Sequence, residues 1–143
     1  MSPHKVSLLV VEDNNFDVRM LQRAMRMAGV DLPMRVANNG LEALEVLRGT
    51  ADQAGLPRPN VVLLDINMPR MNGHEFLSEI RVDDALKNLV VFVHSTSCAP
   101  NDISQAYARN VAGYIVKEGR IESSVEDLKM LLSYTDRVEL PLH

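Results

Sequence analysis

The stretch VVLLDINMPRMNG, residues 61–73, says most about the fold of this chain. It begins with four apolar residues, continues with Asp65, and ends in a turn-forming segment that contains Pro69 and Gly73. A short apolar run bounded by turn residues is typical of a strand that is buried on both faces of a parallel sheet. Since ligands of parallel sheets bind beyond the carboxyl ends of the strands, Asp65 is a candidate site residue.

Two further apolar runs also end in charged residues. The run VSLLVV, residues 6–11, is followed by Glu12 and Asp13, and the run GYIV, residues 113–116, is followed by Lys117. As parallel strands of one sheet, these runs would bring three carboxylates and one ammonium group into a single crevice. Clustered carboxylates repel one another unless a cation lies among them, and oxygen ligands without His or Cys suit Mg²⁺. The sequence therefore predicts a site for a metal ion and a phosphoryl group.

Between these runs apolar residues recur at helical spacing, so strands and helices alternate as in an α/β domain. Strands are predicted at 6–11, 34–37, 61–64, 89–93 and 114–116. Helices are predicted to end at Gly29, to span 40–48, and to begin after Gly73, near 100–102 and near 123–124. The polar connection at 49–60 is longer than usual, which favours a role in specificity. We expect one domain over residues 1–143, with a core of about 5–134 and a C-terminal tail at 135–143.

Composition and charge exclude several classes of protein. With 143 residues, 46% of them apolar and 24% charged, the chain has the composition of one globular domain. The net charge of -4 argues against nucleic acid as a partner, because binding phosphates requires a basic surface. No apolar run approaches the roughly 18 residues of a membrane span, and the N-terminus is unlike a signal peptide. Cys98 is the single cysteine, which excludes an internal disulfide and favours a cytoplasmic location.

The chain resembles the response regulator receiver domain, the CheY-like family, over nearly its whole length. The matching segments occur in order at the ends of predicted strands and are Glu12-Asp13, residues 65–73, Ser95-Thr96 and residues 113–117. This resemblance implies a flavodoxin-like fold, in which a five-stranded doubly wound parallel sheet of order 2-1-3-4-5 has helices on both faces.

In this family a histidine kinase transfers a phosphoryl group to an aspartate, and the resemblance assigns the phosphoacceptor role to Asp65. It also implies that Mg²⁺ is held by Asp13, Asp65 and the backbone carbonyl of Asn67, with Glu12 acting through water. The expected function is therefore that of a two-component signalling protein. Slow hydrolysis of its own acyl phosphate is the only enzymatic activity that we expect.

The resemblance further implies how the phosphoryl group is sensed. Lys117 and Ser95 are expected to bind phosphoryl oxygens, and spacing along the chain favours Ser95 over Thr96. Tyr114 is expected either to pack in the core or, by resemblance, to be the aromatic switch residue that moves with Ser95. The family commonly has a proline after Lys117, whereas this chain has Glu118, which leaves the pose of Lys117 open and adds a negative charge nearby.

The expected partners are a sensor histidine kinase and a second copy of this chain. Pro57-Arg58-Pro59 in the long connection, together with the lack of an output domain, resembles single-domain regulators that are paired with phytochromes, so the kinase is expected to be a bacteriophytochrome. A homodimer is expected through helix four, strand five and helix five. Tyr107, the apolar stripe of helix five and the tail at 138–142 suggest surplus apolar surface on that side.

Two other functions are compatible with the same residues. A phosphatase with an aspartate nucleophile has a second Asp two residues later, but Asn67 stands there and cannot transfer a proton. A receiver-like module that binds partners without phosphorylation is disfavoured by the complete set of acids and by Lys117. Nucleotide enzymes are disfavoured because no GxxxxGK[ST] or GxGxxG follows the first strand. The histidines fit no metal-ligand spacing, and His94 is expected to be packed or to face a partner.

Overall fold

The computed structural model describes residues 6–49 and 60–141, where strands and helices alternate as the sequence predicts. The elements are β1 (Ser7–Val11), α1 (Asn15–Ala28), β2 (Met34–Ala37), α2 (Gly40–Arg48), β3 (Asn60–Leu64), α3 (Gly73–Arg81), β4 (Val90–Ser95), α4 (Pro100–Ala108), β5 (Gly113–Val116) and α5 (Ile121–Arg137). All neighbouring strands are parallel, in the order β2-β1-β3-β4-β5. The predicted fold class is therefore confirmed.

Helices cover both faces of the sheet. α1 and α5 pack on one face, where Leu21 and Leu128 belong to the same apolar cluster as alternate residues of β1 and β3. α2, α3 and α4 cover the other face, where Phe76 and Ala106 are fully buried. β1 and β3 are buried at every position, as expected of central strands in a doubly covered sheet. No helix among the described residues is long and apolar enough to cross a membrane.

Asparagine side chains start three of the helices. Asn14, Asn39 and Asn72 each accept a hydrogen bond from the backbone N–H three residues later, which satisfies one of the free donors of the first turn. Asn72 and Glu75 form a reciprocal capping box. Because α1 begins four residues after the end of β1, its first turn lies at the carboxyl edge of the sheet.

The starts of β1, β3, β4 and β5 each differ by one residue from the predicted boundaries, and two elements depart further. β4 continues to Ser95, so this residue belongs to the strand and does not follow it. α5 begins at Ile121 and continues to Arg137, so the predicted start of the tail at residue 135 was wrong. Leu140 packs against the apolar cluster under α1 and α5. The proline-containing segment of the predicted connection at 49–60 lies outside the described residues.

Arg81 joins the end of α3 to the segment that follows α4. Its guanidinium group donates to the carbonyls of Arg109 at 2.7 Å and Asn110 at 3.0 Å. It also donates to the carbonyls of Lys87 and Leu89, each at 2.8 Å. Burial lowers the pKa of Arg81. The side chain thus binds four backbone carbonyls, which fixes the C-terminal end of α4 against the start of β4.

Gly73 is required where the loop between β3 and α3 folds back over the end of β3. A Cβ atom at this position would lie 2.6 Å from the carbonyl oxygen of Asp65 and 2.7 Å from the Cα atom of Ile66. The Gly73 N–H donates to the Ile66 carbonyl at 2.9 Å. This hydrogen bond, and the absence of a side chain at Gly73, allow the loop to lie close against the end of β3, next to Asp65.

We expect Gly73→Ala to lower the free energy of unfolding by about 3 kcal/mol, because the added methyl group would collide with backbone atoms. Chemical denaturation measures this loss. Gly29→Ala is the control: Gly29 has a left-handed φ of 68° but no described atom lies within 4 Å of the added Cβ. Its cost should be only about 1 kcal/mol. Equal losses in the two variants would contradict the close approach at Gly73.

Candidate functional site

Three carboxylates meet at the carboxyl ends of β1 and β3. Glu12 and Asp13 follow β1 and Asp65 follows β3, and one oxygen of each lies within 4.8 Å of the others. The sheet positions them, because the Asp65 N–H donates to the Val11 carbonyl and the Glu12 N–H to the Ala37 carbonyl, both at 2.9 Å. Glu12 and Asp65 are buried, whereas Asp13 is exposed. The cluster is therefore open to solvent on the side of Asp13.

This donor set fits a divalent cation. Carboxylate oxygens are the hard ligands that such ions prefer, and an ion about 2.1 Å from each oxygen needs only a small approach of the three groups. Burial raises the pKa of Glu12 to about 7; hydrogen bonding to Lys117 opposes the rise and the negative charge of Asp65 adds to it. Negative charge in the cluster is thus unfavourable by itself, and a cation would relieve the repulsion.

Lys117 lies beside these acids at the end of β5. Its N–H donates to the Ser95 carbonyl at 2.8 Å, and its ammonium group donates to Glu12 and, at 3.0 Å, to Asp17 of α1. Burial lowers the pKa of Lys117, but hydrogen bonding to Glu12 and the charge of Asp65 more than compensate, so the pKa lies above its usual value. Lys117 therefore stays protonated. We call this group of Glu12, Asp13, Asp65 and Lys117 the crevice.

Asp17 contacts the crevice but was not predicted from the sequence. An acid in the first turn of a helix is favoured by the helix dipole, and this alone explained the presence of Asp17 in the sequence. The available signal was its position four residues after Asp13, in the first turn of the helix that follows β1. Among the described residues, the ion-pair partners of Lys117 are Glu12 and Asp17, while Asp65 acts on Lys117 through its charge at longer range.

Ser95 and Tyr114, the two predicted switch residues, both bind Ser97. The fully buried Ser95 accepts a hydrogen bond on Oγ from the Ser97 N–H at 3.2 Å. Tyr114 packs against the apolar cluster beneath α3 and α4, and its hydroxyl donates to the Ser97 carbonyl at 2.9 Å. Burial raises the pKa of Tyr114. Thr96 is exposed, so Ser95 is the hydroxyl that lies inside this network.

Ser97 also connects these residues to two helices. Its hydroxyl donates to Asp102 of α4 at 2.5 Å, and the other oxygen of Asp102 contacts Nε2 of His74 in α3 at 3.0 Å. These bonds, that of Ser97 first, lower the pKa of Asp102. His74, which had no predicted role, therefore links α3 to the first turn of α4. His94 is mostly buried and contacts Asp127 of α5 at 3.2 Å, which agrees with its predicted packing.

Two predicted features lie at the edge of the site. Glu118 is exposed and accepts hydrogen bonds from Ser123 and, at 3.0 Å, from Arg120. The bond from Ser123 and then that from Arg120 lower the pKa of Glu118. Its charge is thus engaged at the start of α5 and is not available to the crevice. Asn67 is exposed in the loop after β3, and the role of its carbonyl as a metal ligand stays a prediction.

Comparisons with known proteins agree with this geometry. The sequence pattern of the response regulator receiver domain matches residues 8–129. Response regulator Rcp1 of Synechocystis sp. is 31% identical over 98% of this chain and 95% of its own length. The structure of the Mn²⁺-bound form of Rcp1 has a TM-score of 0.82, with 96% of this chain and 99% of that chain covered.

Two further solved structures are similar over nearly their whole length. The phosphorylated cyanobacterial phytochrome response regulator RcpA is 34% identical, with a TM-score of 0.85 over 97% of this chain and 99% of its own. Response regulator RPA3017, in red light signalling of R. palustris, is 30% identical. Its structure has a TM-score of 0.87, with 96% of this chain and 99% of that chain covered. Sequence, fold and acidic cluster agree: the chain belongs to the response regulator receiver domain family.

Proposed function

We propose that Asp65 receives a phosphoryl group from a sensor histidine kinase in a Mg²⁺-dependent reaction, and that the protein acts as a two-component signalling switch. The observation that carries this proposal is the meeting of three carboxylates and a protonated lysine at the carboxyl ends of parallel strands. Asp65 is 8% exposed, beside the solvent-facing Asp13, so a donor can approach it from outside.

The transfer is a displacement at phosphorus. A carboxylate oxygen of Asp65 attacks the phosphorus of a phosphohistidine, the new O–P bond forms as the P–N bond breaks, and the electron pair leaves with the imidazole nitrogen. Such a reaction requires mainly positioning and neutralisation of charge. Lys117 contributes a compact positive charge near the transferred group, and the buried Ser95 hydroxyl contributes a hydrogen-bond donor.

Asp13 and Asp65 are the residues that would hold Mg²⁺ directly, together with the carbonyl of Asn67. When bound, the ion neutralises charge on the phosphoryl oxygens. Glu12 is engaged by Lys117, which supports an indirect role through water. The Mn²⁺-bound form of the similar Rcp1 supports a divalent cation, and Mg²⁺ is our choice because all the ligands are oxygens.

The acyl phosphate on Asp65 should be hydrolysed slowly, as a signalling protein requires and a phosphatase does not. Asn67 occupies the position where a phosphatase of this chemistry needs an acid, and an amide cannot transfer a proton to or from water. This disfavours the phosphatase alternative. The alternative of an interaction module without phosphorylation leaves the acidic cluster and its lysine unexplained.

The signal would leave the crevice through Ser97. If the Ser95 hydroxyl turns toward a phosphoryl oxygen, the Ser97 N–H loses its acceptor. Tyr114 holds the carbonyl of the same residue and therefore moves with it. This couples the phosphoryl group to the face formed by α4, β5 and α5, as in other two-state switches.

Similarity to RcpA and to a regulator of red light signalling supports a bacteriophytochrome as the partner kinase. We place the protein in the cytoplasm, since its single cysteine suits a reducing compartment. The net charge of -4 supports the absence of a nucleic-acid partner.

We also propose a homodimer through the face of α4, β5 and α5. One reason for predicting it was wrong: the apolar stripe of α5 is used in the core, where Leu128 and Leu131 are buried. What supports the dimer is exposed apolar surface on the other two elements, because Tyr107 of α4 is 50% exposed and Val116 of β5 is 40% exposed. A contact of this face with itself closes as a two-fold dimer.

Asp65→Asn should abolish incorporation of phosphate from a phosphorylated kinase or from acetyl phosphate, because an amide is not a nucleophile. In the wild type the label should require Mg²⁺ and be released by hydroxylamine, which cleaves acyl phosphates. Asp84→Asn, at an exposed acid after α3, is the control and should be labelled normally. Labelling of the Asp65 variant at the wild-type rate would show that another residue accepts the phosphate.

Asp13→Asn should weaken Mg²⁺ binding at least about tenfold more than Glu12→Gln, because only the first removes a direct ligand. Isothermal titration calorimetry of both variants measures the difference. Equal losses would place Glu12 among the direct ligands, and no loss in either would remove the metal from this cluster.

Tyr107→Ser should weaken the dimer about tenfold or more, because a large aromatic contact is lost from the centre of the interface. Light scattering across a dilution series, with and without beryllofluoride as a phosphoryl analogue, gives the dissociation constant. Val82→Ser is the matched control, since Val82 is 81% exposed at the end of α3. A wild-type chain that is monomeric at high micromolar concentration in both states would refute the dimer.

A further inference from the structure

The ammonium group of Lys117 is shared by two carboxylates from different elements. Glu12 follows β1 and is 6% exposed on its side chain, whereas Asp17 belongs to α1 and is 30% exposed. Lys117 itself is 9% exposed, so its charge depends on these partners more than on water. Asp65 makes no ion pair with it among the described residues, although its charge raises the Lys117 pKa.

The two partners differ in how easily they can release the lysine. Glu12 is buried next to Asp65 and would be left as an uncompensated buried charge. Asp17 is partly solvated, and its position in the first turn of α1 stabilises its negative charge through the helix dipole. Its N–H is already bound by the Asn14 side chain at 3.1 Å, which fixes the turn. Asp17 is therefore the partner that Lys117 can leave.

We propose that Asp17 is a positioning residue that holds the Lys117 ammonium on the α1 side of the crevice and so competes with a phosphoryl group on Asp65 for this cation. The inference rests on the proposed function, since it concerns the same crevice. A phosphoryl group at Asp65 gains Lys117 only as the 3.0 Å contact with Asp17 is weakened. Asp17 would thereby limit both the uptake and the retention of phosphate.

Two effects of opposite sign follow for Asp17→Asn. The amide keeps the shape of the side chain but removes the charge that attracts Lys117. Lys117 is then freer to pair with a bound anion, and the crevice carries one negative charge less to repel that anion. Beryllofluoride, in saturating Mg²⁺, should bind about three- to tenfold more tightly. Mg²⁺ alone should bind about twofold more weakly, because a nearby negative charge is lost. A merely structural defect would weaken both ligands.

The controls separate charge at this position from charge in general. Asp31→Asn changes the net charge equally, but Asp31 is exposed before β2, at the opposite edge of the sheet, and should leave both affinities unchanged. Asp17→Glu keeps the charge and should restore affinities near those of the wild type. In a Lys117→Ala background, Asp17→Asn should lose most of its effect on beryllofluoride, as a double-mutant cycle requires of a direct pair.

Calorimetric titration of the wild type and the five variants with Mg²⁺, and then with beryllofluoride in saturating Mg²⁺, decides the question. Tighter beryllofluoride binding in Asp17→Asn, lost without Lys117, is the expected result. Unchanged or weaker binding in Asp17→Asn, while the wild type binds normally, would overturn the role of Asp17 and leave the proposed function intact. A wild-type chain that binds Mg²⁺ but no beryllofluoride would instead overturn the phosphoacceptor assignment, and the present inference with it.

Discussion

The ion pair between Lys117 and Glu12 joins the ends of β5 and β1, although β3 and β4 lie between these strands in the sheet. It therefore spans the carboxyl ends of β3 and β4, and Asp65 follows β3. Both side chains of the pair are almost fully buried, so the charge of Glu12 depends on Lys117, while Lys117 has Asp17 as a second partner. Every other acid of the site is arranged around this pair. It places Asp65 under the influence of a fixed positive charge while leaving the solvent side, at Asp13, open.

Much of this arrangement could be predicted from the sequence because it depends on strand ends. Short apolar runs identify buried strands, and the residue that ends each run must lie at the same edge once the strands are parallel. That reasoning brings Glu12, Asp65 and Lys117 together without any knowledge of side-chain conformation. The ends of helices were predicted less accurately. The start of α5 was misplaced because its first turn has no side-chain cap, and its end was misplaced because its last turn carries few apolar residues.

Contacts between side chains of different helices could not be predicted. Asp17 and His74 are ordinary surface residues by local pattern. They gain partners only in the folded chain, where the first turn of α1 meets the residue after β5 and α3 packs beside α4. The apolar stripe of α5 could be recognised in the sequence. Periodicity, however, shows only that one face of a helix is apolar, and it does not show what covers that face. The stripe proved to cover this chain's own sheet.

The binding of four backbone carbonyls by Arg81 has a mechanical consequence for α4. Its C-terminal end is anchored, while its N-terminal end is held through the side chains of Ser97, Asp102 and His74. The helix would therefore tilt about Arg109 if the contacts at its N-terminal end were rearranged. Over its nine residues, about 13 Å, a tilt of about 10° would displace the N-terminal end by about 2 Å. If Ser97 moves on phosphorylation, as proposed above, this movement would rotate the exposed surface of α4.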